Sequence, residues 1–325
     1  MPQPVATNLC LALTRSCTRR PLGHGCGPRF LLFLPLVVLL ALTNPLWASG
    51  DGPRVHGPSP IDVNALIFHL SSLKDANRAF DPSLVTPNLR FDTSIGTLQY
   101  ARTMELAGRH VTLTGMLRGG NSSRASDKPG QSASSSGLAD PVIAASINLF
   151  GLPPMSLEEF RASTPGTTVN LFLSATLPLG EYDPANLVNL GTNRYALRVG
   201  IPIVHPLELF QRRTVLELVP NVHFFTENDD TGLKQDPLVT VEGHLTHDFT
   251  DHLWGAFGAL WTAGGATRIG GIRQNGSQRS LSLSAALGYE FSPRWALMFR
   301  YGETVAQNEF GLDGTLYYLK LVTRY

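Results

Sequence analysis

Arg279-Ser280-Leu281-Ser282-Leu283-Ser284-Ala285-Ala286-Leu287-Gly288-Tyr289-Glu290-Phe291 decides the fold class, together with Trp295-Ala296-Leu297-Met298-Phe299-Arg300-Tyr301-Gly302 just beyond it. Successive strand residues point to opposite faces. In the first stretch Leu281, Leu283, Ala285, Leu287, Tyr289 and Phe291 share one face, and Ser282, Ser284, Ala286, Gly288 and Glu290 the other. In the second, Trp295, Leu297, Phe299 and Tyr301 oppose Ala296, Met298, Arg300 and Gly302. Ser292-Pro293-Arg294 leaves room for nothing but a tight turn between them. This is an antiparallel hairpin with one apolar face and one small or polar face.

The same alternation recurs upstream. Leu171, Leu173 and Ala175 oppose Asn170, Ser174 and Thr176; Leu197, Val199 and Ile201 oppose Ala196, Arg198 and Gly200; Val239, Val241 and Leu245 oppose Thr240, Glu242 and His244. Twelve strands are predicted near 61–70, 89–103, 109–118, 138–150, 166–178, 192–204, 213–226, 237–249, 251–263, 278–291, 294–303 and 314–325. Their connections alternate in length, as in bacterial barrels with short periplasmic turns and long external loops. Long polar stretches fall at 71–88, 119–137, 179–191, 227–236, 264–277 and 304–313. The exception is 151–165, where Ser156 and Glu159 have the spacing of a capping box and predict a short helix on the periplasmic side. The Ser-rich stretch 119–137 is expected to be a flexible exposed loop.

Charged residues are 16% of the 325, against ~25% in ordinary soluble domains. One lipid-facing and one polar face give that mix; a soluble β-sandwich is the competing reading. Aromatics favour the barrel. Phe249, Tyr289, Phe291, Trp295 and Tyr325 would form a periplasmic girdle, and Phe224, Trp261, Tyr301 and Tyr317 an outer one. The expected fold is therefore an all-β, transmembrane, antiparallel up-and-down barrel of about twelve strands spanning 61–325.

Residues 1–48 have the pattern of a cleaved signal peptide: Arg15, Arg19, Arg20 and Arg29, an apolar run from Phe30 to Leu42, then Ala48-Ser49-Gly50. That run is shorter than the ~20 residues a spanning helix needs. Residues 49–60 are expected as a short periplasmic segment. All three cysteines (Cys10, Cys17 and Cys26) precede residue 49, so the remainder has no disulfide, no thiolate metal site and no Cys nucleophile. It carries a net charge of −3, four below the +1 of the whole chain, and no basic patch for nucleic acid.

Parity places Arg194, Arg198, Glu217, His223, Glu242, His244, Glu290, Arg300, Lys320 and Arg324 on the inner face, where lining charges set the selectivity of a pore. Mutual pairing that plugs the lumen is the alternative, since twelve strands lie between barrels filled by side chains and those with aqueous channels. His244 and His247 face opposite sides, so no metal site is expected, and no cofactor. Glu227-Asn228-Asp229-Asp230 is a solvated acidic loop without the fixed ligand spacing of a calcium site. No Gly-x-Ser-x-Gly elbow occurs. An enzymatic role is not expected, although Ser282 and Ser284 share the inner face with His223 and His244.

Several blocks resemble the outer-membrane transporter family named for the meta-pathway of phenol degradation. They are Asp81-Pro82-Ser83-Leu84, Leu98-Gln99-Tyr100-Ala101-Arg102, Leu138-Ala139-Asp140-Pro141 and Asn148-Leu149-Phe150-Gly151. The most specific runs from Pro178-Leu179-Gly180-Glu181-Tyr182-Asp183-Pro184 through Leu187-Val188-Asn189-Leu190-Gly191-Thr192-Asn193-Arg194. The resemblance implies a pore or transporter for small, aromatic or hydrophobic compounds. Its partners would be outer-membrane lipids, a small-molecule solute and the outer-membrane assembly machinery, the last engaged by a terminal strand ending on Tyr325. Two alternatives stay open: a closed structural barrel acting through its external loops, and a lipid-modifying enzyme.

Overall fold

The computed structural model describes residues 50–81, 85–124, 132–164, 166–208 and 212–325. The signal peptide expected at 1–48 lies outside the described residues.

Twelve antiparallel passes close into a barrel. In chain order they are β1 (Asn64–Ala76), β2 (Phe91–Leu106), β3 (Arg109–Arg124), β4 (Ala133–Phe150), β5 (Thr168–Thr176), the interrupted pair β6 (Ala196–Gly200) and β7 (Ile203–Leu207), and β8 (Thr214–Phe225). After β9 (Leu233–Gln235) follow β10 (Leu238–Asp248) and β11 (Leu253–Gly264), then β12 (Thr267–Ile269) and β13 (Ile272–Asn275), then β14 (Gln278–Glu290), β15 (Trp295–Gln307) and β16 (Thr315–Arg324). Each pass pairs with its sequence neighbour, and β1 pairs with β16, so the sheet has no free edge. Closure is what lets strands cross lipid, because every backbone N–H and C=O then has a partner.

The alternation sorts side chains as the pattern requires. Leu287 and Tyr289 are exposed on the outer face of β14, while Ser280, Ser282 and Ser284 are buried on the inner one. Leu98 and Tyr100 on β2, Leu216 and Leu218 on β8, and Phe257 and Trp261 on β11 likewise face outward. At the end that carries both Asn64 and Tyr325, the β2–β3, β10–β11 and β14–β15 turns are tight. Ala107 and Gly108 between β2 and β3 both have positive φ (51° and 73°), the geometry of a two-residue hairpin whose twist matches its strands. That end is the periplasmic one by the turn-length rule. Here the predicted helix forms as α1 (Leu157–Ala162), with Ser156 and Glu159 completing the capping box.

Four expectations need correction. The Ser-rich stretch 119–137 is not simply a loop: β3 runs to Arg124 and β4 starts at Ala133. Backbone pairing does not depend on apolar side chains, and Thr93 and Ser122 hydroxyls bond across it at 2.6 Å. The strand expected over 192–204 breaks at Ile201-Pro202, since proline brings no N–H to the ladder. The loops at 227–236 and 264–277 contain β9, β12 and β13, which pair as a small separate sheet. The segment 49–60, expected as a short periplasmic segment, instead enters the barrel over its described part, as detailed below.

The long connection 177–195 bends inward rather than projecting outward. Asp140 on β4 is fully buried and organises it. Its carboxylate accepts from Gly180 N (2.9 Å), Thr192 N (2.8 Å) and Thr192 Oγ1 (2.7 Å). Val188 then packs beside Leu73, Phe91 and Leu316, and Leu190 beside Ile95 and Ala139. The Asp140-Pro141 and Pro178–Arg194 blocks are thus one structural unit, an inward cap at the external end. Asp140→Ala leaves three part-buried donors without their acceptor, at up to ~1–3 kcal/mol for each left unpaired. The expected outcome is rapid proteolysis within 178–194 of a barrel that still migrates as folded on unheated gels. Unchanged protease resistance would contradict the latch.

Candidate functional site: the charged lumen

Twelve strands enclose more space than wall side chains fill. The N-terminal segment occupies part of it, entering at the periplasmic rim. Asp62 N bonds Thr103 O at 3.0 Å and Ile61 N bonds Met155 O at 2.8 Å. From there it turns back between the strands. Arg54 N donates to Glu217 Oε2 (2.7 Å), its guanidinium pairs with Asp248, and it stacks over Trp254 at 4.3 Å. Higher up, Asp51 N and Gly52 N donate to the two oxygens of Glu242 (2.8 and 3.0 Å). The Asp51 carboxylate is clasped by both terminal nitrogens of Arg198, and His56 lies 3.0 Å from it. Arg300 Nη2 reaches Gly50 O at 3.1 Å and Arg300 Nη1 lies 3.5 Å from Glu242.

These contacts explain why the inner charges exist. A buried charge is tolerated when an opposite charge and hydrogen bonds replace its water. Glu242 accepts two backbone N–H groups and His244 Nε2 (2.7 Å), besides its proximity to Arg300. Gly52 has a positive φ of 86°, and a Cβ there would meet the Arg300 guanidinium at 3.3 Å, so glycine suits both the turn and the approach.

Above the segment and below the inward cap lies a chamber of about 460 Å³. Arg78, Arg118, Arg194, Arg198 and Arg300 reach its wall. Arg78 comes from the β1–β2 connection, Arg194 from the end of the cap, and the others from β3, β6 and β15. Four of the five guanidiniums lie over aromatic rings: Arg118 over Phe80, Arg194 over Phe225, Arg198 over Phe172 and Arg300 over Tyr318, at 4.6 to 5.3 Å from the centroids. Arg194 also bonds Asp81 and Gln235, each at 2.9 Å. Burial pushes Arg78 down to about 10, against the pull of Asp81, so it stays charged at neutral pH.

The structure gathers Arg194, Arg198, Glu242 and Arg300 around the chamber, with His223 beside Thr240 (3.3 Å) on the same wall. His244 is buried against Glu242, and Glu217 binds the segment from below. Glu290 and Arg324 instead pair with each other (3.2 Å) near the periplasmic rim. Lys320, on β16, registers opposite His69 and Met298. The girdle residues Phe224, Phe249, Trp261, Tyr289, Phe291, Trp295 and Tyr325 are exposed, while Tyr301 and Tyr317 stack on each other and are half-buried. Ser282 bonds Thr304 at 2.8 Å. Sequence reasoning missed Asp51, Gly52, Arg54, Arg78 and Phe80. None lies in an alternating stretch, so parity had no hold on them.

A family model described as "Putative MetA-pathway of phenol degradation" matches residues 74–319. The chain belongs to this family. Among solved structures, the outer-membrane channel from Pseudomonas putida F1 is similar at 18% identity and a TM-score of 0.69, with 85% of this chain and 100% of that one covered. The β domain of the Bordetella autotransporter BrkA is similar at 10% identity and a TM-score of 0.47 (81% and 100% covered). The translocator domain of the autotransporter NalP from Neisseria meningitidis follows at 8% and 0.46 (83% and 90%). No curated protein sequence matches. The fold and family make this member an outer-membrane β-barrel.

The clasp on the N-terminal segment has a direct test. Trypsin should cut slowly after Arg54 in the folded barrel, where its guanidinium is held by Asp248. Gly52→Val forces a branched side chain into a positive-φ site against Arg300, which costs on the order of 1–3 kcal/mol. Cleavage after Arg54, followed by intact mass, is expected to accelerate at least several-fold in that variant. Equal rates would contradict the clasp.

Proposed function

We propose that the protein is a pore of the Gram-negative outer membrane, passing small aromatic or hydrophobic compounds, exported on a signal peptide cleaved near residue 48. The observation that carries this reading is the chamber. A barrel serving as scaffold alone has no need of about 460 Å³ of space between two inward-folded segments that are not wall strands. Volumes of roughly 300–1,000 Å³ suit single small organic molecules. The lining has the matching character, with Leu73, Ile95, Leu260 and Leu316 interleaved among polar groups. The P. putida relative is described as a channel. In this reading the outward aromatics anchor the barrel in lipid, and the strand ending on Tyr325 engages the assembly machinery.

The segment 50–56 is then the main constriction. Refolded residues 49–325 are expected to show small single-channel conductance in planar bilayers, and a chain starting at residue 60 a conductance at least two-fold larger. Arg198→Ala, which releases Asp51, should fall between them with a shifted ion selectivity. Silence from all three, each migrating as a folded barrel, would remove the pore reading in favour of a closed barrel acting through its loops.

A further inference from the structure

The chamber holds more hydrogen-bond donors than its own groups use. A guanidinium carries five N–H donors and no acceptor. Arg300 and Arg194 are 2% and 3% exposed, yet Nε of Arg300 and both Nε and Nη1 of Arg194 have no hydrogen-bond partner among the described residues. Nε of Arg78 is in the same state. Donors left this way ordinarily cost ~1–3 kcal/mol each, and more when charged; all three side chains line the one chamber, so an acceptor bound there would offset that cost.

The charge count agrees. Asp51 is clasped by Arg198, Asp81 by Arg194, and Glu242 is shared among His244, Arg300 and two backbone amides. Arg118 Nε donates to the main-chain oxygen of Asp140 (2.7 Å), whose carboxylate is committed to Gly180 and Thr192. Arg78 Nη1 donates to the main-chain oxygen of Phe80 (3.3 Å). Five guanidiniums thus face four carboxylates, and among the described residues neither Arg78 nor Arg118 forms a salt bridge. Arginine rather than lysine is the residue type that grips a planar carboxylate with two parallel bonds. Stacking on Phe80, Phe225 and Tyr318 holds these forks in place and puts aromatic faces beside them.

From this convergence we infer that the chamber is a binding site for small organic anions, of the class with a carboxylate on an aromatic or alicyclic body. The carboxylate is received by Arg194, Arg300 and Arg78, and the ring lies against Phe80, Ile95 and Leu316. The site deepens the pore reading by naming a solute class, but its occupancy is measured without any flux.

The probes are benzoate, benzyl alcohol and benzylammonium, which share one ring and differ in charge. Each is titrated calorimetrically into the folded barrel in detergent at low salt. Benzoate is expected to bind at least ten-fold more tightly than benzyl alcohol, and benzylammonium more weakly still. Arg194→Gln and Arg78→Gln should each reduce benzoate affinity at least five-fold and leave benzyl alcohol within two-fold. Arg194→Lys keeps the charge without the fork and should lie between. Arg194 bonds the Asp81 and Gln235 side chains whereas Arg78 donates to a main-chain oxygen, so the Arg78 variant stays informative if replacement of Arg194 prevents folding, which heat-modifiable migration reports. Equal affinity for the three probes, or benzoate binding unchanged in folded Arg78→Gln, would overturn the inference. Flux of the same probes into proteoliposomes separates the two readings. Benzoate binding without flux upholds the site and removes the pore; flux of all three with no preferential binding upholds the pore and overturns the site.

Discussion

A charge inside a lipid-embedded cylinder must find its partner inside that cylinder, and the pairing of Glu242 with the backbone of Asp51 and Gly52 is where this requirement becomes architecture. The wall supplies Arg198, Glu217, Glu242 and Arg300. The segment supplies a carboxylate, an arginine and free N–H groups in the complementary order. Neither set is stable alone at low dielectric. Together they narrow the barrel from the periplasmic side and set the floor of the chamber.

The roof follows the same logic with a neutral partner set. Asp140 gathers backbone and hydroxyl donors from a connection that would otherwise extend into solvent, and Val188 and Leu190 add apolar burial beneath it. One carboxylate thereby converts a long external loop into a cap. The chamber between floor and roof exists because two non-strand segments enter the lumen without meeting.

Most of the barrel was legible because its code is simple. Period-two alternation over Arg279–Phe291 and Trp295–Gly302 identifies a membrane face and a lumen face, and closure follows from the lipid environment. Inner-face parity for Arg194, Arg198, Glu242 and Arg300 came from the same code. What parity cannot read is the path of chain outside the ladder. Asp51, Arg54 and Arg78 carry no periodic signal, and their roles arise from long-range pairing with residues more than a hundred positions away, or from folding back over the barrel mouth. The Ser-rich extension of β3 and β4 was misread for a related reason. Composition suggested flexibility, while cross-strand hydroxyl pairs such as Thr93 with Ser122 continue the ladder. Pro202 was visible in the sequence, but its consequence depended on which strand register it interrupts.

Amide hydrogen exchange of the segment 50–56 in the detergent-folded barrel tests the central claim most directly. Asp51, Gly52 and Arg54 each donate their N–H to a buried carboxylate. Peptides covering 50–56 should exchange ~100-fold or more slowly than the same peptide free in solution, and Glu242→Gln should weaken that protection at Asp51 and Gly52. Exchange at free-peptide rates in a barrel whose strand amides remain protected would contradict the claim that lumen charges hold the segment in place.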